Sequence, residues 1–458
     1  MKSLLKKTTD IYMIGIKGTG MTPVAQILKS MGKNISGSDV KETFFTDKVL
    51  KREKIKYFKG FKKSNLPENI DLVIHSSAFD EKNNVEMAEV IKRKIPTMTQ
   101  AEALAELFNN KKGIAVCGSH GKTTTSALLG FVLHEAGLKP TVEVGSSVPQ
   151  FKGNAITGKG DLMIIEADEY QNKLKLYKPY AVLLNNIDYD HPDFFKTRAS
   201  YQRVFREFIK RVPKSGFVIA NFDDEKVVEV VNNCKCKVIK YGKIQKGTIF
   251  NIKYSILNIK NGQQNFEIWN NKKSLGKFKT NLIGEHNVQN ATAVIATCLE
   301  LKVPIAKIKK ALAKFKGTAR RMEILGKYNG AIFIDDYGHH PVEIKATLKA
   351  VRQKYTNKRV ICAFMPHMFS RTKTLLNDFS KIFSDADEVL ILPTYSSARE
   401  NKTYEISKDL VKKIGKNAKY ISSIKNCADF LKKSVKKDDA VILMGAGDTF
   451  RVWDELKK

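Results

Sequence analysis

The segment Val116-Cys117-Gly118-Ser119-His120-Gly121-Lys122-Thr123-Thr124-Thr125 limits what this chain can fold into. It follows an apolar run, residues 113–117, that reads as a buried strand, and it precedes residues 126–136, whose apolar spacing reads as a helix. A glycine-rich turn between strand and helix aims backbone N–H groups and the positive helix end at one spot, and that spot attracts phosphate. Lys122 adds a mobile cation for the outer phosphates, and the Thr123 hydroxyl suits Mg²⁺. Gly118, Ser119, His120, Gly121, Lys122, Thr123 and Thr124 are therefore the expected ATP contacts. The loop is two residues shorter than G-x-x-x-x-G-K-[ST], so a generic P-loop enzyme is not what is written here.

With 458 residues the chain is too long for one core, and its length suggests about three domains. No apolar run approaches the roughly 20 residues of a membrane span, so a soluble protein without a membrane partner is expected. The basic start, residues 1–10, runs directly into a glycine loop and has no room for the apolar core of a signal peptide. Six Cys without metal-ligand spacing fit reduced cytosolic thiols better than a disulfide framework. Only Cys234-Lys235-Cys236 is close-set, and it reads as ordinary strand. The net charge of +33 would attract polyanions, nucleic acid included. Its excess is Lys spread along the whole chain, without the aromatic interleaving of a base-stacking groove. That pattern argues against nucleic acid and for a solvated surface that favours small phosphorylated ligands.

Residues 11–16 form an apolar strand, followed by Gly15-Ile16-Lys17-Gly18-Thr19-Gly20 and a helix over 21–31. A second strand ends at Gly37-Ser38-Asp39, which puts a carboxylate about where a dinucleotide fold places its ribose ligand. The glycine order is G-x-x-G-x-G rather than G-x-G-x-x-G, so this Rossmann-type loop is weak support for NAD. A strand over 71–74 opens into His75-Ser76-Ser77-Ala78 at a strand's carboxyl end, and residues 109–113 read as a linker. In the second unit a strand over 161–165 ends in Glu166-Ala167-Asp168-Glu169-Tyr170. Another, 180–184, ends in Asn185-Asn186-Ile187-Asp188-Tyr189-Asp190-His191-Pro192-Asp193. Two acidic clusters after buried parallel-type strands converge on the face of the phosphate loop, where Mg²⁺ riding on ATP would find ligands. Residues 237–279 alternate short strand-like runs with turns and carry no expected function. His286 and Asn290, four apart before an apolar helix over 291–301, share a face if that helix begins early.

The third unit repeats one pattern, in which polar clusters follow successive apolar strands. Residues 331–334 end in Asp335-Asp336-Tyr337-Gly338-His339-His340-Pro341, and 360–364 in Met365-Pro366-His367-Met368-Phe369-Ser370-Arg371-Thr372. Residues 388–392 lead to Ala398-Arg399-Glu400, and 440–443 to Met444-Gly445-Ala446-Gly447-Asp448. That regularity marks the active edge of another doubly wound sheet.

Taken together, Gly-Ser-His-Gly-Lys-Thr-Thr, Glu-Ala-Asp-Glu-Tyr, Asp-His-Pro-Asp, Gly-Glu-His-Asn and Asp-Asp-Tyr-Gly-His-His-Pro, in this order, resemble the Mur ligase family over essentially the whole chain. Pro366-His367 with Phe369-Ser370-Arg371-Thr372, Ala398-Arg399-Glu400 and Met444-Gly445-Ala446-Gly447 are most similar to its alanine-adding branch. The resemblance implies an α/β protein of three domains: a Rossmann-like UDP-sugar-binding domain over 1–110, a central P-loop ATPase domain over 111–318, and a C-terminal Rossmann-like domain over 319–458 that closes over ATP and receives the amino acid. It implies ATP and Mg²⁺ as cofactors, UDP-N-acetylmuramate and L-alanine as substrates, and a monomer or homodimer. ATP would phosphorylate the lactyl carboxylate, and the alanine amine would displace phosphate.

By the same resemblance Thr123, Glu166 and His191 would hold metal, and Arg321 would reach the phosphates from the third domain. His286 and Asn290 would lie at the adenine, and Asp335 or Asp336 at the ribose. Tyr337, His339, His367 and Arg371 would form the pocket for alanine and the acyl phosphate. Gly18, Thr19, Gly20, Asp39 and Ser76 are the candidates for the UDP moiety. Lys122, His191, His339, His367 and Arg371 carry the expected catalysis. Two departures stand out. Phe205 occupies the position where most sister ligases have a carbamylated lysine, so none is expected, as in the alanine-adding branch. Met368 stands where many of that branch have a basic or polar residue. A tripeptide-recycling ligase, which should lack Pro366-His367 with Arg371, and a basic P-loop ATPase acting on nucleic acid are the competing readings.

Overall fold

Three sheets follow one another along the chain, each built from apolar runs that end in polar loops at one edge. The computed structural model describes residues 4–244, 250–396 and 404–458. The motif Ala398-Arg399-Glu400 lies outside the described residues. The first sheet is wholly parallel, with strand order Lys56–Lys59, Asn34–Asp39, Asp10–Ile14, Leu72–His75, Thr97–Thr99. The strand preceding the glycine loop is central, and the strands ending in Asp39 and His75 flank it. All three therefore deliver their carboxyl ends to one crevice.

The second sheet has ten strands. Its middle places Lys112–Cys117, which leads into the phosphate loop, between Ala181–Leu184 and Leu162–Glu166, all parallel. Ile114, Ala115, Val116 and Cys117 have no exposed surface, as expected for parallel strands covered on both faces. Lys237–Lys243 and then Ile252–Lys260, Gln263–Asn270 and Lys273–Thr280 extend this sheet at one edge, the last three as an antiparallel ladder. The third sheet runs Glu323–Tyr328, Ala331–Asp336, Ala440–Met444, Val360–Phe364, Glu388–Ile391, Ala418–Tyr420, parallel except for its first pair.

Two helices begin earlier than apolar spacing alone suggests. The helix after the phosphate loop is Lys122–Glu135, and its first turn is buried although polar. Hydroxyls there bond locally, Ser126 Oγ to Lys122 O at 2.9 Å among them, so Thr and Ser act as core residues without an apolar signature. The second helix is Glu285–Glu300, which puts His286 and Asn290 on one face of its first turns. Between the second and third sheets, Ala319 N–H donates to Ser147 O at 2.8 Å, and Ser146 Oγ donates to Ala319 O at 3.1 Å. These bonds tie the entry to the third domain against the central one.

Candidate active site

Gly118 and Gly121 make the phosphate loop possible. Their φ angles are +124° and +78°, and a Cβ would sit 2.8 Å from Asn186 O and 2.7 Å from Asn290 Oδ1. Asn186 fixes the loop from the neighbouring strand end: its carbonyl accepts from Ser119 N–H at 3.1 Å and its Oδ1 from His120 N–H at 2.8 Å. Ser119 Oγ donates to Asp188 O at 2.6 Å.

Lys122 reaches Glu169 Oε2 at 2.9 Å and the loop carbonyl of Gly118 at 2.6 Å. Burial works against its charge, but the carboxylates of Glu169, Asp168 and Glu166 outweigh that and hold its pKa above the ordinary lysine value. A charged amine is thus poised at the helix N-terminus.

The residues expected to hold metal divide into two groups. Thr123 Oγ1 donates to Glu166 Oε1 at 2.8 Å, and Glu166 Oε2 accepts from Gly145 N–H at 2.8 Å. His191 instead clusters with Asp168 and Glu169, whose ligand atoms and its own lie within 4.8 Å of one another. Its Nε2 is 3.7 Å from Glu169 Oε1, and its buried Nδ1 has no hydrogen-bond partner among the described residues. Hydroxyl, carboxylates and one imidazole form an oxygen-rich donor set that suits a hard divalent cation. Phe205, fully buried, packs its ring on Tyr201, whose hydroxyl donates to Glu169 Oε1 at 2.9 Å.

A cavity of about 280 Å³ opens beside the loop. His120, Gly121, Thr124, His286 and Asn290 line it from the central domain, and Arg321, Asp336 and Glu343 from the third. Burial, and then the nearby Arg321, push the His286 pKa down to about 4, so its imidazole is neutral at pH 7. Of the two ribose candidates, Asp336 lines this cavity, with oxygens that accept from Met322 N–H and Gly338 N–H at 2.8 Å each. Asp335 points elsewhere and pairs with Arg320 Nε at 3.0 Å.

The third-domain set is brought together. The Tyr337 and His339 rings are 5.4 Å apart, His339 and His367 5.8 Å, and Arg371 meets His367 Nδ1 at 3.2 Å. Burial, then Arg371 and His367, push the His339 pKa down to about 3 against the opposing pull of Glu343. Arg371 differs from expectation. Its guanidinium, 3% exposed, grips Asp190 Oδ1 of the central domain at 2.9 and 3.2 Å rather than standing free for an amino-acid carboxylate. Met368 is 2% exposed and sits at φ +70°, at the position just before the helix Phe369–Thr374.

In the first domain Gly18 and Thr19 are exposed and Gly20 and Ser76 half-buried at the edge of the crevice. Asp39 is not a free carboxylate. It is buried and accepts from Lys17 N–H at 2.6 Å and Val40 N–H at 2.7 Å, so it anchors the glycine loop.

Glu343 escaped the reading of the sequence. It lies 3.2 Å from His120 Nδ1, 3.7 Å from Arg321 and 3.5 Å from His339 Nδ1, and so joins the phosphate loop to the third domain. Its only sequence signal, an acid in the first turn of the helix Pro341–Lys354, is what any helix start would carry.

Fold and site together define a three-domain protein in which a phosphate loop and a third domain share one cavity. The profile described as "Mur ligase family, catalytic domain" matches residues 10–112, that of the "Mur ligase middle domain" 116–298, and that of the "Mur ligase, glutamate ligase domain" 320–447. The UDP-N-acetylmuramate--L-alanine ligase of Desulfitobacterium hafniense (strain Y51) is 38% identical over 453 residues, covering 97% of this chain and 99% of that protein. That of Persephonella marina is 36% identical over 457 residues, 99% and 97%. The crystal structure of UDP-N-acetylmuramate-alanine ligase from Thermotoga maritima superposes with a TM-score of 0.81 at 25% identity, covering 98% of each chain. A murein peptide ligase from Psychrobacter arcticus shares the fold, with a TM-score of 0.73 at 22% identity and 98% of each chain. The chain belongs to the Mur ligase family.

Proposed function

We propose that the protein is an ATP-dependent ligase that joins L-alanine to the lactyl carboxylate of UDP-N-acetylmuramate, a step in making peptidoglycan precursors in the cytoplasm. The substrate pair is supported by relatives of that name that match nearly end to end. The reaction type is supported by one observation: the phosphate-loop cavity is walled by two domains, and its Glu343 lies 3.5 Å from His339, whose ring is 5.8 Å from that of His367.

Two anions must meet, a carboxylate and a γ-phosphate, so cationic groups have to neutralise them. Lys122 serves the phosphates from the loop, and Arg321 serves them from the third domain. Thr123 and Glu166, or the cluster of Asp168, Glu169 and His191, would hold a Mg²⁺ ion, which would supply further charge neutralisation. His286 and Asn290 receive the adenine, and Asp336 the ribose. The carboxylate oxygen attacks the γ-phosphorus and ADP leaves. The alanine amine then attacks the acyl carbon, expels phosphate and loses a proton to give the amide. Tyr337, His339, His367 and Arg371 shape the pocket in which amine and acyl phosphate meet.

In this assignment residues 1–110 bind the UDP-sugar at Gly18, Thr19, Gly20 and Ser76, residues 111–318 bind ATP, and residues 319–458 bring the amino acid. Phosphate release from ATP, Mg²⁺ and UDP-N-acetylmuramate should appear with L-alanine and not with the tripeptide or DNA. Release that ignores the sugar nucleotide overturns the reading.

A further inference from the structure

Six cysteines are free, and five of them are buried. Cys117, Cys298, Cys362 and Cys427 have no measurable exposure and lie in apolar cores, so their thiols are inert. Cys234 and Cys236 sit at the margin of a core rather than within it: Cys236 is 9% exposed, and Cys234 packs on the same apolar cluster from outside. Their sulfurs are 2.7 Å apart, Cys234 is half-buried, and the pair sits in a surface turn between the helix Glu225–Val231 and the strand Lys237–Lys243. Asn232, Asn233, Lys235 and Lys237 around it are exposed.

The structure assigns Cys234 and Cys236 as a redox-reactive dithiol that closes reversibly to a disulfide by exchange with a low-molecular-weight disulfide such as oxidised glutathione. Distance comes first. A disulfide bond is about 2.04 Å long, so the sulfurs need to approach by less than about 1 Å, within what a surface turn can yield. Order of attack comes next. Burial, and then the neighbouring Cys234, push the Cys236 thiol up to about 12, so Cys234, which solvent reaches, is the attacking sulfur.

The exchange balances. Cys234 thiolate attacks one sulfur of the external disulfide, forms a mixed disulfide and releases one thiolate. Cys236 gives its proton to that thiolate and attacks the Cys234 sulfur, which expels the second. Two electrons pass from the cysteine pair to the external disulfide, which leaves as two thiols. The ring spans only three residues, so closing it gains little from the unfolded chain, and the bond is of the labile kind that reducing thiols reopen. This site lies apart from the cavity that binds nucleotide in the proposed reaction and does not rest on that reading.

Lys235 lies between the two sulfurs, so trypsin separates Cys234 from Cys236 in the reduced protein but leaves two peptides joined in the oxidised one. The full-length protein, incubated with oxidised glutathione, acid-quenched and alkylated, should lose two hydrogen masses and yield that joined pair. Dithiothreitol should reverse both, and the four core cysteines should remain unmodified until the protein is unfolded. Cys236→Ser should instead keep a stable glutathione adduct on Cys234. A native protein that shows no joined peptides, or that carries the adduct on Cys234 without closing the ring, overturns the assignment.

Discussion

The molecule contains two glycine-rich loops of the same local design, each following a central parallel strand and opening a helix, and each carrying a lysine. In the central domain Lys122 faces three carboxylates and its side chain remains 13% exposed. In the first domain the Lys17 side chain is fully buried, with its amine on the carbonyls of Val40 and Glu42 and 3.9 Å from Asp47. The rings of Phe44 and Tyr57 lie over it, at 5.1 and 5.9 Å. One lysine keeps part of its surface open beside the phosphate loop, and the other is a tie within the fold. Loop sequence therefore does not decide a lysine's task. What separates this pair is that the Lys122 amine lies among three carboxylates with part of its surface open, whereas the Lys17 amine is sealed on two carbonyls under two rings.

The contrast is broken most severely by Lys122→Met. Turnover should fall by ~10³-fold, since the cation that meets developing phosphate charge is gone. The circular dichroism spectrum should be unchanged. Lys17→Met should act in the opposite manner, leaving turnover at saturating UDP-sugar near normal. Two buried carbonyls lose their donor, at a stability cost of about 3 kcal/mol by urea unfolding. A Lys17 variant that is stable but inactive would mean that both lysines serve ligands. Gly121→Ala asks whether the phosphate loop depends on its backbone as much as on its lysine. The left-handed φ disfavours a side chain by about 2 kcal/mol, and the Asn290 amide must move from 2.7 Å. Affinity for ATP should weaken while affinity for UDP-sugar holds.

The two loops also mark how far the sequence could be read. Strand, glycine turn and helix are local patterns, so both loops and the α/β sheets around them were visible from residue order. So was the convergence of the two acidic loops on one sheet edge, where Asp168 and Glu169 of one meet His191 of the other, because strand ends in parallel sheets share an edge. What was hidden is the pairing between distant residues. Arg371 is 181 positions from the Asp190 it binds, and nothing near either residue announces the other. Asp39 was recognisable as a carboxylate at a strand end, but its occupation by Lys17 N–H depends on how the loop folds back over it. Glu343 was lost for a related reason, since an acid in a first helical turn has an ordinary local explanation. Polar first turns, as at Thr123 to Ser126, similarly conceal helix starts from hydrophobic periodicity.

The smallest effect tests the ionic link that ties the central loop, and not the first one, to the third domain. His120 lies between Asp188 at 3.4 Å and Glu343 at 3.2 Å. Burial alone would lower its pKa, but the proximity of these two carboxylates outweighs it and pushes the value up from 6.5 to about 9. A folded-state pKa raised above the unfolded one means that the stabilisation is fully present below about 6.5 and is lost as pH climbs through about 9. Asp188 is 30% exposed, so screening trims the pH-dependent part to about 1 kcal/mol. The difference in unfolding free energy between the parent protein and His120→Asn should shrink across that window. Glu343→Gln should flatten the parent's own pH dependence there. The equivalent profile for Lys17→Met should not bend in the same range, because the Lys17 amine meets the carbonyls of Val40 and Glu42 and the Asp47 carboxylate, not an imidazole. A His120→Asn difference that grows toward pH 9 would mean that the imidazole is held neutral between its two carboxylates, and that Glu343 ties the domains by some means other than charge.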